Sequence, residues 1–461
     1  MFQKNALSVF ALFCAFFSYA NEVKLEWQSY TSSPSAKEQS SDYALLKGDY
    51  KLDFTKGPFY FDSHFLWEYG LDRSKFAYFN VPELYLYYKY ELKAPLYFVR
   101  SIQVSLGRKA QSWSQGDEYW DLGLWNPLTR WNPLHPSDSG LIGYFLTFTA
   151  NQWESNFFAG AIHLPDQEVR TIKEGGRSYS HSRWFSILPE GVAPFPDKKQ
   201  IILDLFYLRE NPFIRDILLQ QSFLFNLKTW SKTPEVFYWM KWSFANKPVN
   251  HLFYVSNTNN SLRVEEKEGG EVFVKPKFTV FPPVRQRILS TEWGLDYRDI
   301  SITFSLENTK MKPASILSKD WSFLQEQADF TYFSALLKYN YLEDSFFRLA
   351  FIQSWFARSD FSQRAPSIVG RGKILEGMGV EWQTQLFSHT NQPLFFNLKY
   401  QYSFLDEGAW FSAKAVYYMT SKIYTELTAD VLGAFEPSKN NSFLKRFKHN
   451  DYFTWSVAYD F

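Results

Sequence analysis

The chain has 461 residues, with 49 Lys+Arg against 48 Asp+Glu and a formal net charge of +1. That balance removes any broad electrostatic case for nucleic acid or for an acidic partner. Aromatic residues make up 20% of the chain, more than a soluble core needs, which suits rings shown to lipid and to two interfacial girdles.

The N-terminus reads as a processing segment. Lys4 precedes an apolar run from Ala6 to Phe17, and Ser18-Tyr19-Ala20 places small residues where a signal peptidase reads. Residues 1–20 are therefore expected to be a cleaved signal peptide, with 21–461 as one exported unit. The only cysteine, Cys14, lies inside the apolar run, so the mature chain has no disulfide and no Cys-based metal site. No later stretch approaches twenty uninterrupted apolar residues, which argues against helical membrane spans.

Period-two alternation then recurs along the chain, the pattern of strands whose two faces meet different surroundings. Glu22 to Thr31 is a first strand. Asp42 to Thr55 and Phe59 to Tyr69 flank Lys56-Gly57-Pro58 as a hairpin. Glu83 to Lys93 and Leu96 to Gly107 follow, then a long loop from Arg108 to Gly140. Leu141 to Ala150 and Trp153 to His163 are joined by Asn151-Gln152, and a second long loop runs from Leu164 to Asp197. Further strands are predicted at Gln200 to Arg209, Asp216 to Leu227, Pro234 to Phe244, Val249 to Ser256 and Glu271 to Phe281. Arg287 to Glu307 is either one long strand or two short ones around Tyr297-Arg298-Asp299. Long loops are expected near 308–329 and 357–375. Strands resume at Phe330 to Tyr341, Ser345 to Phe356, Gly377 to Phe387, Leu394 to Phe404, Ala409 to Met419 and Ile423 to Leu432.

The last stretch, His449 to Phe461, sets Phe453, Trp455, Val457, Tyr459 and Phe461 against Thr454, Ser456, Ala458 and Asp460. A strand with one aromatic face at the end of a chain is satisfied if it closes a barrel whose outer face meets lipid. This ending resembles the C-terminal signature of Gram-negative outer-membrane β-barrels. The resemblance implies that those five residues are read by the barrel assembly machinery, and that lipid and lipopolysaccharide surround the protein. Short and long connections mostly alternate, as in such barrels. If Arg287 to Glu307 is crossed once, the strands number about twenty. Eighteen follows if the first two candidates do not both span. The fold class is thus all-β, a transmembrane antiparallel up-and-down barrel of about 18–20 strands, placed in the cell outer membrane.

The Arg108–Gly140 loop carries Trp113, Trp120, Trp125 and Trp131, with Asn126-Pro127 and Asn132-Pro133 as a near-repeat. Gly107-Arg108 followed by Trp113-Ser114-x-Gly116-Asp117 resembles a Gly-Arg…Trp-x-x-Gly-Asp pattern of several outer-membrane channel families. In many general porins the third external loop enters the lumen, and by count this is the third, so the resemblance implies a constriction. Indole faces there could stack on sugar rings, while Arg108, Asp117, Glu118 and Arg130 supply polar contacts. The alternative is that the tryptophans form the loop's own core. On the strands, Lys275, Lys277, Arg348, Glu381, Lys399 and Glu426 fall on polar parities. Facing lipid would cost Lys or Arg about 2–4 kcal/mol near the membrane centre, so these side chains are expected to face the lumen.

Catalytic patterns are poor. The seven histidines form no metal-binding spacing, and there is no Gly-x-Ser-x-Gly elbow or phosphate loop. No cofactor or metal is implied. The leading reading is an outer-membrane pore, not an enzyme, passing small hydrophilic solutes such as sugars. A homo-oligomer is compatible with it. The alternatives are a non-conducting barrel for surface binding or adhesion and, behind it, an outer-membrane enzyme.

Overall fold

A computed structural model of the chain describes residues 22–32, 41–71, 77–96, 99–167, 172–174, 177–179, 182–184, 201–203, 206–207, 219–250, 253–257, 263–267, 271–275, 277–281, 284–311, 321–323, 329–356, 374–387, 392–405, 407–434, 443–447 and 450–461. The expected signal peptide and most of the loops near 164–197, 308–329 and 357–375 lie outside the described residues.

Eighteen antiparallel strands close into a barrel. In chain order the wall strands are β1 Glu22–Tyr30, β2 Asp42–Lys56, β3 Phe59–Gly70, β4 Ala77–Leu96, β5 Val99–Lys109, β6 Leu141–Ala150, β7 Trp153–Ile162, β8 Ser222–Lys232 and β9 Val236–Pro248. They continue as β10 Arg285–Tyr297, β11 Ile300–Met311, β12 Phe330–Leu342, β13 Ser345–Phe356, β14 Gly377–Leu386, β15 Leu394–Ser403, β16 Gly408–Tyr418, β17 Ile423–Ala434 and β18 Tyr452–Asp460. The last strand pairs with the first from Glu22 opposite Asp460 to Tyr30 opposite Tyr452. Closure leaves no sheet edge, the condition for strands to cross a bilayer.

Alternation decides which side chain sees what. On β10 and β11 the residues Leu289, Trp293, Leu295, Phe304 and Leu306 point outward and are exposed, while Ser290, Glu292, Ser305 and Glu307 point inward and are buried. The same division holds on β18, where Phe453, Trp455 and Tyr459 are exposed and Thr454 and Ser456 are buried. The outer surface is thus an aromatic and aliphatic belt and the inner surface is polar.

The eighteen strands fall within the expected 18–20, but the membership of the wall differs from the sequence count in two places. Arg285 to Met311 is a hairpin and crosses the wall twice, with Arg298 at φ 51° in the turn. This is the two-strand alternative around Tyr297-Arg298-Asp299; the turn has no Gly or Pro, which left a single crossing equally open in the sequence. Conversely, the strands predicted at 200–209, 249–256 and 271–281 are not wall strands. Segments 201–203, 263–267 and 271–275 form one small sheet, and 206–207, 253–257, 277–281 and 321–323 form another. Alternation reports that a segment is a strand but not which strand it pairs with. Lys275 and Lys277 therefore sit on these small sheets, off the wall, and their side chains lie outside the described residues.

Short turns gather at the end of the barrel that holds both Glu22 and Asp460, and the longer connections gather at the other. The connection from β5 to β6, residues 110–140, belongs to the second end but does not stay there.

Candidate functional site

The 110–140 loop folds into the barrel. It begins at Gly107, where φ is +131° and an added Cβ would meet the Leu84 carbonyl oxygen at 2.2 Å. Only glycine takes that backbone at low cost, and the distortion turns Arg108 inward. The Arg108 guanidinium donates to Gly140 O (3.1 Å) and Asn80 Oδ1 (3.0 Å), tying the two ends of the loop to β4. Arg108 thus braces the loop base instead of facing a solute.

The loop then makes a short helix, α1, over Gln115–Trp120. The Ser114 hydroxyl accepts from Asp117 N (3.2 Å) as the cap and donates to Glu292 Oε1 (3.0 Å) on β10. Gln115 N donates to the same oxygen at 2.8 Å, as does Ser305 Oγ at 2.7 Å. Lys241 completes this node, 3.1 Å from Glu292 Oε2. Gly116 allows the approach, since a Cβ there would lie 3.1 Å from Ser305 and 3.2 Å from Ser334.

The three tryptophans of this half are fully covered. Trp113 and Trp125 stack with centroids 5.9 Å apart and planes 14° apart. Trp120 Nε1 donates to Ser334 Oγ (3.1 Å) and Trp125 Nε1 to Glu307 Oε2 (2.8 Å). Each of the three indoles is 1% exposed, so none offers a face to a sugar ring. They pack with Leu122 and Leu124 against an unusual apolar section of inner wall: Phe145, Phe158, Leu224, Ile288 and Ile352.

Asp117 sits inside this core and accepts from Leu124 N (2.9 Å) and Trp125 N (3.4 Å). Burial, reinforced by the charge of Glu307, pushes its carboxyl well above the usual range. Glu118 is turned towards water within the lumen, and enclosure raises it as well. Asp138, on the returning arm, is pushed up to about 7 by enclosure and then by Glu118, Asp121 and Glu83.

That returning arm crosses to the opposite wall. Arg130 pairs with Asp166 (3.3 Å) within the loops. Trp131 stacks on Tyr78 of β4 at 5.1 Å. Asn132 donates to Tyr452 Oη on β18 (2.6 Å), and His135 Nε2 lies 2.8 Å from Asp430 Oδ2 on β17. Leu134 joins a second apolar cluster with Tyr30, Tyr43, Trp410 and Tyr452. The loop is therefore fastened to both sides of the lumen.

The wall residues flagged in the sequence face the same lumen. Arg348 Nη1 is 2.7 Å from Glu381 Oε2, and Asn397 Nδ2 donates to Glu381 Oε1 at 3.0 Å. Glu426 holds Lys24 (2.8 Å) and Lys414 (2.9 Å). Lys399 lies 4.8 Å from the centre of the Tyr119 ring at the loop's tip. Sequence reasoning missed Glu292, Glu307, Tyr119, His135 and Asp138; Asp430 was expected to share the lumen-facing parity of Glu426, and it is buried inside the barrel. Glu292 and Glu307 could have been found from parity once Arg285 to Met311 was split into two strands.

A closed barrel with an apolar belt, a polar inner wall and an inward-folded loop settles the architecture. This is an outer-membrane-type β-barrel. No protein-family model matches the chain, and no curated protein matches it. Solved structures similar to it include a mutant of the Rh. blastica porin, at 8% identity over 96% of this chain and 99% of that one, with a TM-score of 0.37. Acinetobacter baumannii OccAB4 shares 9% identity over 95% of this chain and 96% of its own, with a TM-score of 0.42. Escherichia coli Wzi, described as a carbohydrate-binding β-barrel involved in Group 1 capsule assembly, shares 10% identity over 96% and 85%, also at 0.42. Likeness at that level says nothing of solute or activity.

Proposed function

We propose that the barrel is an outer-membrane channel through which small hydrophilic solutes, sugars among them, diffuse down their gradients. The observation that carries this reading is the 110–140 loop, which folds into a barrel whose inner wall bears charged side chains of both signs. A solute passing beside it would meet Glu118 and Asp138 on the loop and Arg348, Glu381, Lys399 and Glu426 on the wall. Charged walls keep the path wet, and a fixed constriction sets the size limit. In this reading residues 1–20 direct export, the barrel assembly machinery reads Phe453, Trp455, Val457, Tyr459 and Phe461, and lipopolysaccharide contacts the outer rim. The direct test is reconstitution in a planar bilayer. Stepwise conductance is expected, and a bilayer that stays silent at high protein load overturns the proposal.

One observation favours a second reading, a non-conducting barrel that binds a partner at the surface. The loop packs apolar clusters against both sides of the lumen, as a plug would. A silent bilayer together with retained surface binding of purified lipopolysaccharide or capsular saccharide would select it.

A further inference from the structure

We infer that the lumen contains an oxyanion-binding subsite on the wall formed by β12 to β15, made by Lys338, Arg348 and Lys399 beneath Tyr119 of the loop. It rests on the channel reading for what it would select, and on the wall geometry alone for whether it binds.

The three cations and Glu381 occupy consecutive positions across four strands, with Glu381 between Arg348 and Lys399. Lys338 lies opposite Arg348, Arg348 opposite Glu381, and Glu381 opposite Lys399. Neighbouring strands are about 4.8 Å apart, so the group spans about 14 Å. All four side chains are on the inner face, because Leu337, Leu349, Trp382 and Tyr400, one residue away on each strand, are exposed on the outside.

Several other lumen cations are neutralised. Lys24 and Lys414 share Glu426, Lys47 lies between Glu26 and Glu68, and Lys241 is held by Glu292. Lys228, over the Trp239 ring, still has Glu154, Glu292 and Asp296 around it. The wall from β12 to β15 differs. Its one carboxylate, Glu381, gives one oxygen to Arg348 and the other to Asn397. Lys338 and Lys399 have no carboxylate within ion-pair distance among the described residues. Their ammonium groups rest on rings: Lys338 is 4.4 Å from the centre of Phe346, and Lys399 is 4.8 Å from Tyr119 and 5.3 Å from Trp410.

An aromatic face orients a cation through its quadrupole but does not cancel its charge. Three positive groups facing one carboxylate leave a net excess in an enclosed, polar space. Arg348 adds a planar fork whose remaining N–H groups suit carboxylate or phosphoryl oxygens. Tyr119, 5.3 Å from the Arg348 guanidinium, roofs the subsite from the loop side. Gly379 makes room for it, since a Cβ there would lie 2.8 Å from the Tyr119 hydroxyl oxygen. The acidic groups Glu118, Asp121 and Asp138 gather on the loop, where Glu118 and Asp121 act on Asp138, and they repel anions from that side of the lumen.

The test uses the whole purified barrel in neutral detergent, titrated calorimetrically with citrate in one arm and pyrophosphate in the other. Binding of either is expected, and which one binds distinguishes a carboxylate from a phosphoryl solute. The double variant Lys338→Gln/Lys399→Gln should weaken binding at least tenfold while keeping the heat-modifiable migration of a folded barrel. Lys399→Arg should restore most of the affinity in the Lys338→Gln background, and Lys414→Gln should leave it within twofold. Absence of binding in both arms, or equal binding by the double variant, overturns the subsite. In a bilayer with a KCl gradient the double variant should shift the zero-current potential away from anion selectivity. A silent bilayer with citrate binding intact removes the channel reading and keeps the subsite. A conducting barrel indifferent to the double substitution removes the subsite and keeps the channel.

Discussion

The indole N–H of Trp125, in a loop that starts at the barrel rim, donates at 2.8 Å to Glu307 on the inner wall. Both partners are buried, at 1% and 0% exposure. Replacing Trp125 with Phe preserves most of the packing and leaves the Glu307 oxygen without that donor. The expected cost is about 1–3 kcal/mol, the penalty of an unsatisfied buried acceptor. Trp120→Phe loses only a bond to the neutral Ser334 hydroxyl and should cost about 0.5–1.5 kcal/mol. Guanidinium unfolding of the detergent-solubilised barrel, followed by tryptophan fluorescence, would rank the two. Equal losses would mean that the carboxylate bond is no stronger an anchor than the hydroxyl bond.

Deleting Gln111 to Pro133 removes α1, all four indoles and the fastening to Glu292 and Glu307. Single-channel conductance should rise. Unchanged conductance in a correctly folded deletion variant would show that the loop does not set the narrowest point.

Val104 and Gln103 are chain neighbours on β5 and lie on opposite sides of the wall, Val104 being 44% exposed on the outer face. Val104→Arg should cost about 2–4 kcal/mol because the charge enters lipid near the middle of the strand. Gln103→Arg, facing the lumen, should be tolerated. The assembled fraction on heat-modifiable electrophoresis reads both, and the reverse ranking would invert the assigned faces.

His163, just past β7, is buried and held down to about 3 by burial first and then by the charge of Lys247. Its folded pKa lies below the ordinary value, so the unfolded chain binds the extra proton first. Its contribution to stability is therefore full above about pH 6.5 and is lost as pH falls towards 3, at about 1.4 kcal/mol per pH unit for a single group. His163→Gln should flatten that limb of the stability curve. Asp138 has the opposite sign. Its raised carboxyl favours the folded state as pH falls from about 7. Carbon NMR of labelled aspartate should show one carboxyl titrating near neutrality that disappears in Asp138→Asn.

Gly107→Ala places a methyl group against the Leu84 carbonyl at a φ of +131°. Strain of this kind costs about 1–3 kcal/mol before the steric clash is added. Lower refolding yield and a lower unfolding midpoint are expected, with the loop base around Arg108 the first region to lose hydrogen-exchange protection.

Much of the wall is legible in the sequence. Strand and face follow from a local rule, since each residue's side is decided by its parity, and the parities of Arg348, Glu381, Lys399 and Glu426 could be read from their neighbours. The final strand, with its aromatic face, required closure onto a first strand near Glu22 to Thr31 because an open edge cannot stand in lipid. The membership of the wall was not legible. Segments 201–203 and 271–275 look like wall strands locally, and Arg287 to Glu307 reads equally well as one strand or as two around Tyr297-Arg298-Asp299. Pairing is chosen by partners far away in sequence, so only the assembled sheet could count eighteen.

The loop shows the same limit. Its tryptophans and its length marked it as special, but their composition suits a binding surface and a core equally. Tertiary structure decided between them by supplying Phe145, Phe158, Ile288 and Ile352 as apolar partners and Glu292, Glu307 and Ser334 as hydrogen-bond partners, some of them more than 200 residues away in the chain. Sequence by itself determined an alternating, aromatic-faced, closing set of strands, because period and hydrophobicity act between adjacent residues. Which strands meet, where the loop goes and which lumen charges stay unneutralised were decided in space, where burial and pairing depend on groups the chain brings together only when it closes.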